Sequence, residues 1–287
     1  MVPVSNRQEV VTAIKNQIIS SYPSLWSDMI TQWQTNSSED RCWLLYSANY
    51  LFRTQNIRWA IDPFTIYTRL GQTPPFDLSH DLQQLDFVLL THSHADHLDR
   101  PLIRSLAHLP IRWVIPAILQ QQLEDCGLDP GNIIVPKPLE PIYLNGICIT
   151  PFDGLHFHTT ADGVPRGVPA MGYHVSCGAQ SWLFPGDTRS HQPEKIPVFS
   201  PPDIVFAHLW LGKACADMLN PPKVEDFCRF FLALQPQRLV ITHLHEIGRV
   251  LNEFWDCCHY EMVKNRLQQL NPAIPVASAL IGQSITL

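Results

Sequence analysis

The chain has 287 residues, of which 45% are hydrophobic and 16% charged, and its net charge is −6. This composition is typical of a globular protein with a substantial core, and the negative charge without a basic cluster argues against nucleic-acid binding. No apolar run approaches a membrane span and no basic-then-apolar leader opens the chain, so we expect neither membrane insertion nor secretion. The eight cysteines form no Cys-x-x-Cys pair, which favours reduced thiols and a cytoplasmic location.

Residues 1–36 are predicted to form an N-terminal helical extension. Apolar residues recur at helical spacing on both sides of Pro23, and proline interrupts helices, so residues 6–35 are expected to form two short helices. Strands are predicted at 43–53 and 58–61, the second ending in Asp62. We expect the extension to pack against the remainder of a single domain that spans the whole chain.

The stretch that follows the next apolar strand carries the strongest chemical signal. Residues 87–90 lead directly into four candidate metal ligands, which are His92, His94, Asp96 and His97. His92 and His94 are two residues apart and project to the same side of an extended backbone, whereas Asp96 and His97 follow once the chain has begun to turn. One short segment can therefore serve two neighbouring metal ions. An ordinary surface turn favours Gly, Pro, Asn, Asp and Ser, and its backbone does not require histidines.

The rest of the chain alternates between helices and strands, which predicts strands backed by helices. Predicted helices are 101–109, 117–125, 224–234 and 249–270; predicted strands are 112–115, 132–135, 147–152, 171–176, 181–184, 204–207 and 238–241. Asn145-Gly146 indicates a two-residue hairpin turn. Residues 159–172, rich in Gly and Pro, are expected to form a loop over the site, and residues 273–287 a closing strand or hairpin.

A short stretch of sequence recurs in the two halves of the chain, and we call this repeat the echo. Residues 88–94 and 239–245 both read as an apolar strand that ends in Thr-His-x-His, and Asp62 and Asp187 each end a strand in their own half. A short echo is weak support for repetition, but it favours two similar halves.

His92-x-His94-x-Asp96-His97 resembles the signature of the metallo-β-lactamase superfamily, whose members are mostly binuclear metal hydrolases. The resemblance extends from Asp62 to His245 and implies an α+β fold, a four-layer αββα sandwich. It implies that Asp62 braces the histidine loop and that the Asp187 of Pro-Gly-Asp-Thr is a ligand shared by both ions. The superfamily's later histidines correspond to His156 or His158 and to His243 or His245.

Two ligand sets follow from this resemblance. We choose His156 because it directly follows its strand, and His243 because the echo aligns it with His92; His158 and His245 would then support the ligands or face the substrate. The predicted metal ligands are His92, His94, Asp96, His97, His156, Asp187 and His243. They would hold two divalent ions, with zinc favoured by the imidazole-rich set and manganese or iron also accepted. A bridging hydroxide would be the nucleophile.

Asp96 and His208 are the predicted catalytic residues. His208 ends a strand in the same half as Asp187, where it can donate a proton or contact the substrate. Three basic residues are further candidates for binding an anion, namely Arg166, Arg189 and Lys213. Residues of this kind are more often solvated at the surface or paired with acidic residues.

The predicted function is hydrolysis of an ester-like bond in a small anionic molecule, a phosphodiester or a lactone. Penicillin-type β-lactamases carry a cysteine where Asp187 stands, which argues against antibiotic hydrolysis. A nuclease such as ribonuclease Z would need a basic exosite, and the di-iron oxidoreductase branch carries a glutamate at the position of His94. A non-catalytic metal-binding protein would be expected to have lost ligands. The sequence is also compatible with assembly of the chain into a homo-oligomer.

Overall fold

Two seven-stranded β-sheets face each other in the computed structural model, which describes residues 4–159 and 164–287. The strands are β1 Arg41–Leu44, β2 Tyr50–Thr54, β3 Ile57–Ile61, β4 Phe87–Leu89, β5 Arg112–Val114, β6 Ile133–Ile134, β7 Ile142–Leu144, β8 Ile147–Asp153, β9 His158–Thr159, β10 Pro165–Arg166, β11 Met171–Cys177, β12 Gln180–Phe184, β13 Ile204–His208, β14 Arg238–Thr242, β15 Val276–Ser278 and β16 Ser284–Thr286. The helices are α1 Val4–Gln34, α2 Ile66–Leu70, α3 Leu78–Asp81, α4 Arg100–Leu106, α5 Gln120–Glu124, α6 Val224–Ala233 and α7 Cys257–Leu270.

The two sheets have matching strand orders. The first sheet runs β16-β1-β2-β3-β4-β5-β6 and the second β15-β14-β13-β12-β11-β8-β7, while β9 and β10 pair separately. In the first sheet β3 to β6 are parallel, and in the second β12 to β15 are parallel; every other neighbouring pair is antiparallel. The chain therefore contains two similar halves.

Aromatic side chains fill the space between the sheets. Phe52 stacks on its cross-strand partner Trp59 with ring centroids 3.8 Å apart, and Phe184 stacks on Phe206 at 4.6 Å in the opposite sheet. Phe52 meets Phe184 edge to face at 5.6 Å, which joins the sheets. A second cluster of buried residues packs α6 and α7 against the outer face of the second sheet, while α1 covers the first. The fold is thus the predicted α+β sandwich of four layers.

The N-terminal extension is one helix, and the prediction of two was wrong. Helix α1 runs through Pro23. The hydroxyl groups of Ser20 and Ser21 both donate to the carbonyl oxygen of Gln17, at 2.9 and 2.8 Å, in the turn that precedes the proline. Burial of Tyr22 and of three further large side chains, Trp26, Met29 and Trp33, holds both halves of the helix against the sheet, and this packing outweighs the local cost of proline.

Other predicted boundaries also differ. The strand expected at 43–53 is divided into β1 and β2 by a turn in which the amide of Leu45 donates to the carbonyl of Asn49 at 2.8 Å. The helix expected from residue 249 begins only at Cys257, because Asp256 caps it by accepting from the amide of Cys258 at 3.0 Å. The tail forms no hairpin, since β15 and β16 belong to different sheets. Residues 160–163 of the expected loop lie outside the described residues.

No helix in the described part of the chain is both long enough and apolar enough to cross a bilayer. All eight cysteines are free thiols, and most of them are buried. Their burial in apolar surroundings is the ordinary environment of a structural thiol.

Candidate metal centre

The candidate centre lies where the carboxyl ends of strands from both sheets meet. Asp62 follows β3, the histidine cluster at 92–97 follows β4, and Asp187 follows β12. His208 is the last residue of β13, and His243 directly follows β14. Ligands of open α/β sheets bind outside the carboxyl ends of the parallel strands, and the folding of each half places its polar residues there.

One group of candidate ligands contains His92, His94, His156 and Asp187, whose ligand atoms all lie within 4.8 Å of one another. Nε2 of His156 is 3.0 Å from Nδ1 of His94, and the ring of His92 lies 4.8 Å from each of these two rings. Zinc–nitrogen bonds of about 2.0–2.1 Å in a tetrahedral site put neighbouring nitrogens roughly 3.4 Å apart, so these side chains have the spacing of a metal site.

The second group contains Asp96, His97 and His243. Oδ2 of Asp96 lies 3.2 Å from Nε2 of His243 and 3.9 Å from Nε2 of His97. Oδ1 of Asp187 lies 3.5 Å from Nε2 of His97 and 3.8 Å from Nε2 of His243. Asp187 therefore stands beside both groups.

Several nitrogens in the centre have no hydrogen-bond partner among the residues that the structure describes. Nε2 of His92, Nε2 of His97 and Nδ1 of His156 are buried without a hydrogen bond. Nδ1 of His92 lies 2.9 Å from the hydroxyl of Thr91, and Nδ1 of His97 lies 2.7 Å from Oδ2 of Asp62. Contacts at Nδ1 leave Nε2 free as a ligand, and leaving buried nitrogens unpaired is costly. These residues therefore fit divalent metal ions.

Asp62 and Asn49 fix the position of the loop that carries His92, His94, Asp96 and His97. Asp62 accepts from the amide and hydroxyl of Thr91 at 2.7 and 2.6 Å, as well as contacting His97. The side-chain amide of Asn49 donates to the carbonyl oxygens of Asp62 and Asp96, at 2.7 and 3.0 Å. Asn49 lies in the turn between β1 and β2, and sequence reasoning missed it because no motif marks that turn.

Three residues in or beside the centre have a strained backbone. Asp62, His243 and His245 have φ angles of 44°, 67° and 58°, in the left-handed region that favours glycine. Each such residue costs about 1–3 kcal/mol, and the cost is borne where the surrounding structure fixes a functional geometry. The strain at His243 aims its imidazole at Asp96.

The surroundings of the candidate ligands determine which of them are neutral and which are charged. Burial lowers the pKa of His92 and of His94, and lowers the pKa of His156 to about 4, so these imidazoles are neutral, as ligands must be. Burial also opposes the ionised forms of Asp96 and Asp187, but the nearby imidazoles outweigh it and hold the pKa of both carboxyls well below the usual range. Both carboxylates are therefore available to a cation.

His208 lies beside Asp187 and is fully enclosed. Its Nδ1 is 3.0 Å from Oδ1 of Asp187, on the side that also faces His97. Burial lowers the pKa of His208, although Asp187 acts to raise it.

The neighbouring histidines are placed differently. His156 and His243 point into the two groups, whereas Nε2 of His245 lies 3.5 Å from Sγ of Cys257 and contacts no candidate ligand. The side chain of His245 therefore lies against the first turn of α7, and its expected role beside a ligand or the substrate stays a prediction. The side chain of His158 lies outside the described part of the structure.

Two partly buried ion pairs beside the centre were not predicted from the sequence. Nη2 of Arg69 lies 2.7 Å from Oε1 of Glu246, and Nη2 of Arg249 lies 3.1 Å from Oδ2 of Asp96. Arg249 also contacts Glu246, and burial together with the repulsion of Asp96 raises the pKa of that carboxyl. The only available hint was that Glu246 directly follows the Thr-His-Leu-His stretch. The predicted anion-binding candidates Arg166 and Lys213 are exposed.

Comparisons with known proteins agree with this architecture. A family model described as "Beta-lactamase superfamily domain" matches residues 58–244. The chain is 28% identical over 92 residues to N-acyl-phosphatidylethanolamine-hydrolyzing phospholipase D 1 of Caenorhabditis elegans. That match covers 28% of this chain and 26% of the relative, so the similarity spans about a quarter of the relative's length.

Solved structures share the fold at low identity. A possible metal-dependent hydrolase from Veillonella parvula is 19% identical with a TM-score of 0.64, over 87% of this chain and 100% of that one. The metallo-β-lactamase fold protein YhfI from Bacillus subtilis is 15% identical with a TM-score of 0.60, over 87% and 99%. At such identities the likeness concerns the arrangement of strands and helices.

Proposed function

This chain belongs to the β-lactamase superfamily and is a metal-dependent hydrolase of the metallo-β-lactamase fold, and on that premise we propose that it uses two divalent ions to hydrolyse an ester-like bond of a small anionic molecule. The observation that carries the proposal is the position of Asp187 between two groups of ligand atoms. In our assignment His92, His94 and His156 would hold one ion, Asp96, His97 and His243 would hold the other, and Asp187 would serve both.

When bound, such a pair of ions supplies a water-derived nucleophile that is ionised near neutral pH, and positive charge that stabilises the transition state. The chain's own residues orient the reaction. Asp62 holds Nδ1 of His97 at 2.7 Å, which keeps Nε2 directed at the centre. The net reaction adds water across the ester bond and gives an acid and an alcohol.

His208 and Asp96 are the residues we propose for proton handling. Asp187 lies 3.0 Å from Nδ1 of His208, which leaves Nε2 of that ring to contact the substrate or the departing alcohol. Oδ2 of Asp96 is held by both His243 and Arg249, at 3.2 and 3.1 Å, and these contacts keep the carboxylate ionised. An ionised carboxylate there can serve as a ligand and accept a proton.

A screen of the metal-loaded protein tests the proposal. Phosphodiesters, lactones and thioesters would be offered to protein reconstituted separately with zinc, manganese and iron. We expect turnover of at least one class, and loss of that turnover after chelation with recovery on adding the metal back. Protein that binds two ions per chain and turns over none of these classes would contradict the proposal.

A further inference from the structure

Arg189 is a partly buried cation beside the candidate ligands, and one of its donors is unused. Its side chain is 14% exposed, but Nη1 itself is buried and has no hydrogen-bond partner among the described residues. Nη2 donates to Oδ2 of Asp187 at 3.3 Å, and the guanidinium lies 4.7 Å from the centre of the Trp210 ring. The carboxylate and the ring together fix the plane of the guanidinium, so the direction of Nη1 is set in advance.

The neighbouring arginines are engaged differently. The side chain of Arg249 contacts three carboxylates, those of Asp96, Glu246 and Glu253. Arg69 is paired with Glu246 through Nη2, and its unpaired buried donor is Nε rather than a terminal nitrogen. Arg189 pairs with one carboxylate through one nitrogen and leaves another nitrogen free in the same low-dielectric surroundings. Because a buried donor without a partner is costly, the position of Nη1 is that of a binding group.

Arg189 also lies between the candidate centre and a neighbouring cleft. It lines a cavity of about 240 Å³ together with His94 and Asp96. It also lines a cleft of about 710 Å³ whose apolar wall includes Leu155, Phe157 and Trp210. A molecule that extends from the cleft to the candidate ligands can therefore contact Arg189.

We infer that Arg189 binds an anionic oxygen of the substrate and thereby selects a phosphodiester over a lactone. This inference rests on the proposed hydrolase function and narrows its substrate class. A phosphodiester carries a full negative charge on its non-bridging oxygens, and charge-assisted bonds from arginine are about twice as strong as neutral ones. A lactone offers only a neutral carbonyl oxygen. A hydrogen bond to that oxygen compensates less for the water that the guanidinium loses. The rest of the substrate lies in the cleft.

The test compares Arg189→Gln, Arg189→Lys and the control Arg229→Gln, which removes an exposed positive charge from α6 in the same half of the chain. The substrates are bis(p-nitrophenyl) phosphate and the neutral ester p-nitrophenyl acetate, which release the same leaving group. Arg189→Gln should lower kcat/KM for the phosphodiester by about 10- to 100-fold more than for the ester. Arg189→Lys should recover part of this loss, and Arg229→Gln should change the ratio of the two kcat/KM values by less than about threefold.

Metal content and phosphate binding complete the test. Each variant should keep the metal content of the parent protein, and calorimetry should show inorganic phosphate binding at least about tenfold more weakly to metal-loaded Arg189→Gln. Equal losses for the two substrates, unchanged phosphate affinity, or loss of metal from Arg189→Gln would each overturn the inference. If the parent protein hydrolyses neither substrate, the hydrolase proposal loses support, and the phosphate titration then decides on Arg189 alone.

Discussion

Replacing Asp62 by asparagine should disable one metal site while leaving the chain folded. The asparagine side chain has almost the same volume, and its oxygen can still accept from the amide of Thr91, which now donates to Oδ1 at 2.7 Å. The new amide group would then take the place of Oδ2, which now lies 2.7 Å from Nδ1 of His97. Two donors cannot face each other, so His97 would move its proton to Nε2 and lose the lone pair directed at the centre.

The size of the effect follows from these contacts. Loss of a partner behind a metal-bound imidazole typically weakens metal binding by about 10- to 100-fold, or roughly 1.4–2.7 kcal/mol. The free energy of unfolding of the metal-free protein should fall by about 1–3 kcal/mol, because Asp62 is fully buried and one strong hydrogen bond is replaced by a poor contact.

Asp99 provides the matched control. It is also buried, and its carboxylate accepts from the hydroxyl of Thr68 at 2.7 Å and from the amide groups of Thr65 and Leu102, both at 3.0 Å. It contacts no histidine in the described structure, so Asp99→Asn should lower stability by a similar amount without changing metal affinity. Titration of metal-free protein with zinc against a competing chelator measures both variants. Unchanged affinity for both ions in Asp62→Asn would refute the reasoning.

Three further predictions address the shared ligand, acid stability and nucleic acid. Asp187→Ala should abolish turnover while the far-ultraviolet circular dichroism spectrum stays close to that of the parent; near-normal turnover would refute the shared-ligand assignment. Although burial opposes it, the contacts of Asp256 with His259 and Arg7 hold the pKa of its carboxyl at about 2, so this group stabilises the fold above about pH 4 and ceases to do so as the pH falls toward 2. Asp256→Asn should therefore cost about 2 kcal/mol in denaturant unfolding at pH 7 and less at pH 3, and a difference independent of pH would contradict this linkage. Finally, a net charge of −6 predicts no tight binding of RNA or DNA at physiological salt, and submicromolar affinity in a filter-binding assay would contradict it.

The sequence predicted those parts of the centre whose signals are local. Four candidate ligands stand at residues 92–97, and each of the others follows the end of a recognisable strand within three residues. The Thr-His-x-His echo was less informative than it looked, because β4 is the second parallel strand of its sheet and β14 the third of the other. The true counterparts are β3 and β12, each the first parallel strand, followed by Asp62 and Asp187.

The features that were not predicted depend on contacts between distant parts of the chain. Arg69 and Glu246 are 177 residues apart in the sequence, and Asn49 and Asp96 are 47 residues apart. No periodicity or motif in the sequence could therefore have predicted either contact. The continuity of α1 through Pro23 likewise comes from the packing of Trp26 and Trp33. Local propensity favoured a break, and tertiary burial overrode it.

The metal content of fully loaded protein tests the central claim most directly. Metal-free protein would be loaded with zinc, freed of excess metal by gel filtration, and measured by elemental analysis against protein concentration from amino-acid analysis. Because two separate groups of ligand atoms meet at Asp187, the account predicts close to two ions per chain. A content that never exceeds one ion per chain, whichever of zinc, manganese or iron is used, would contradict the binuclear centre.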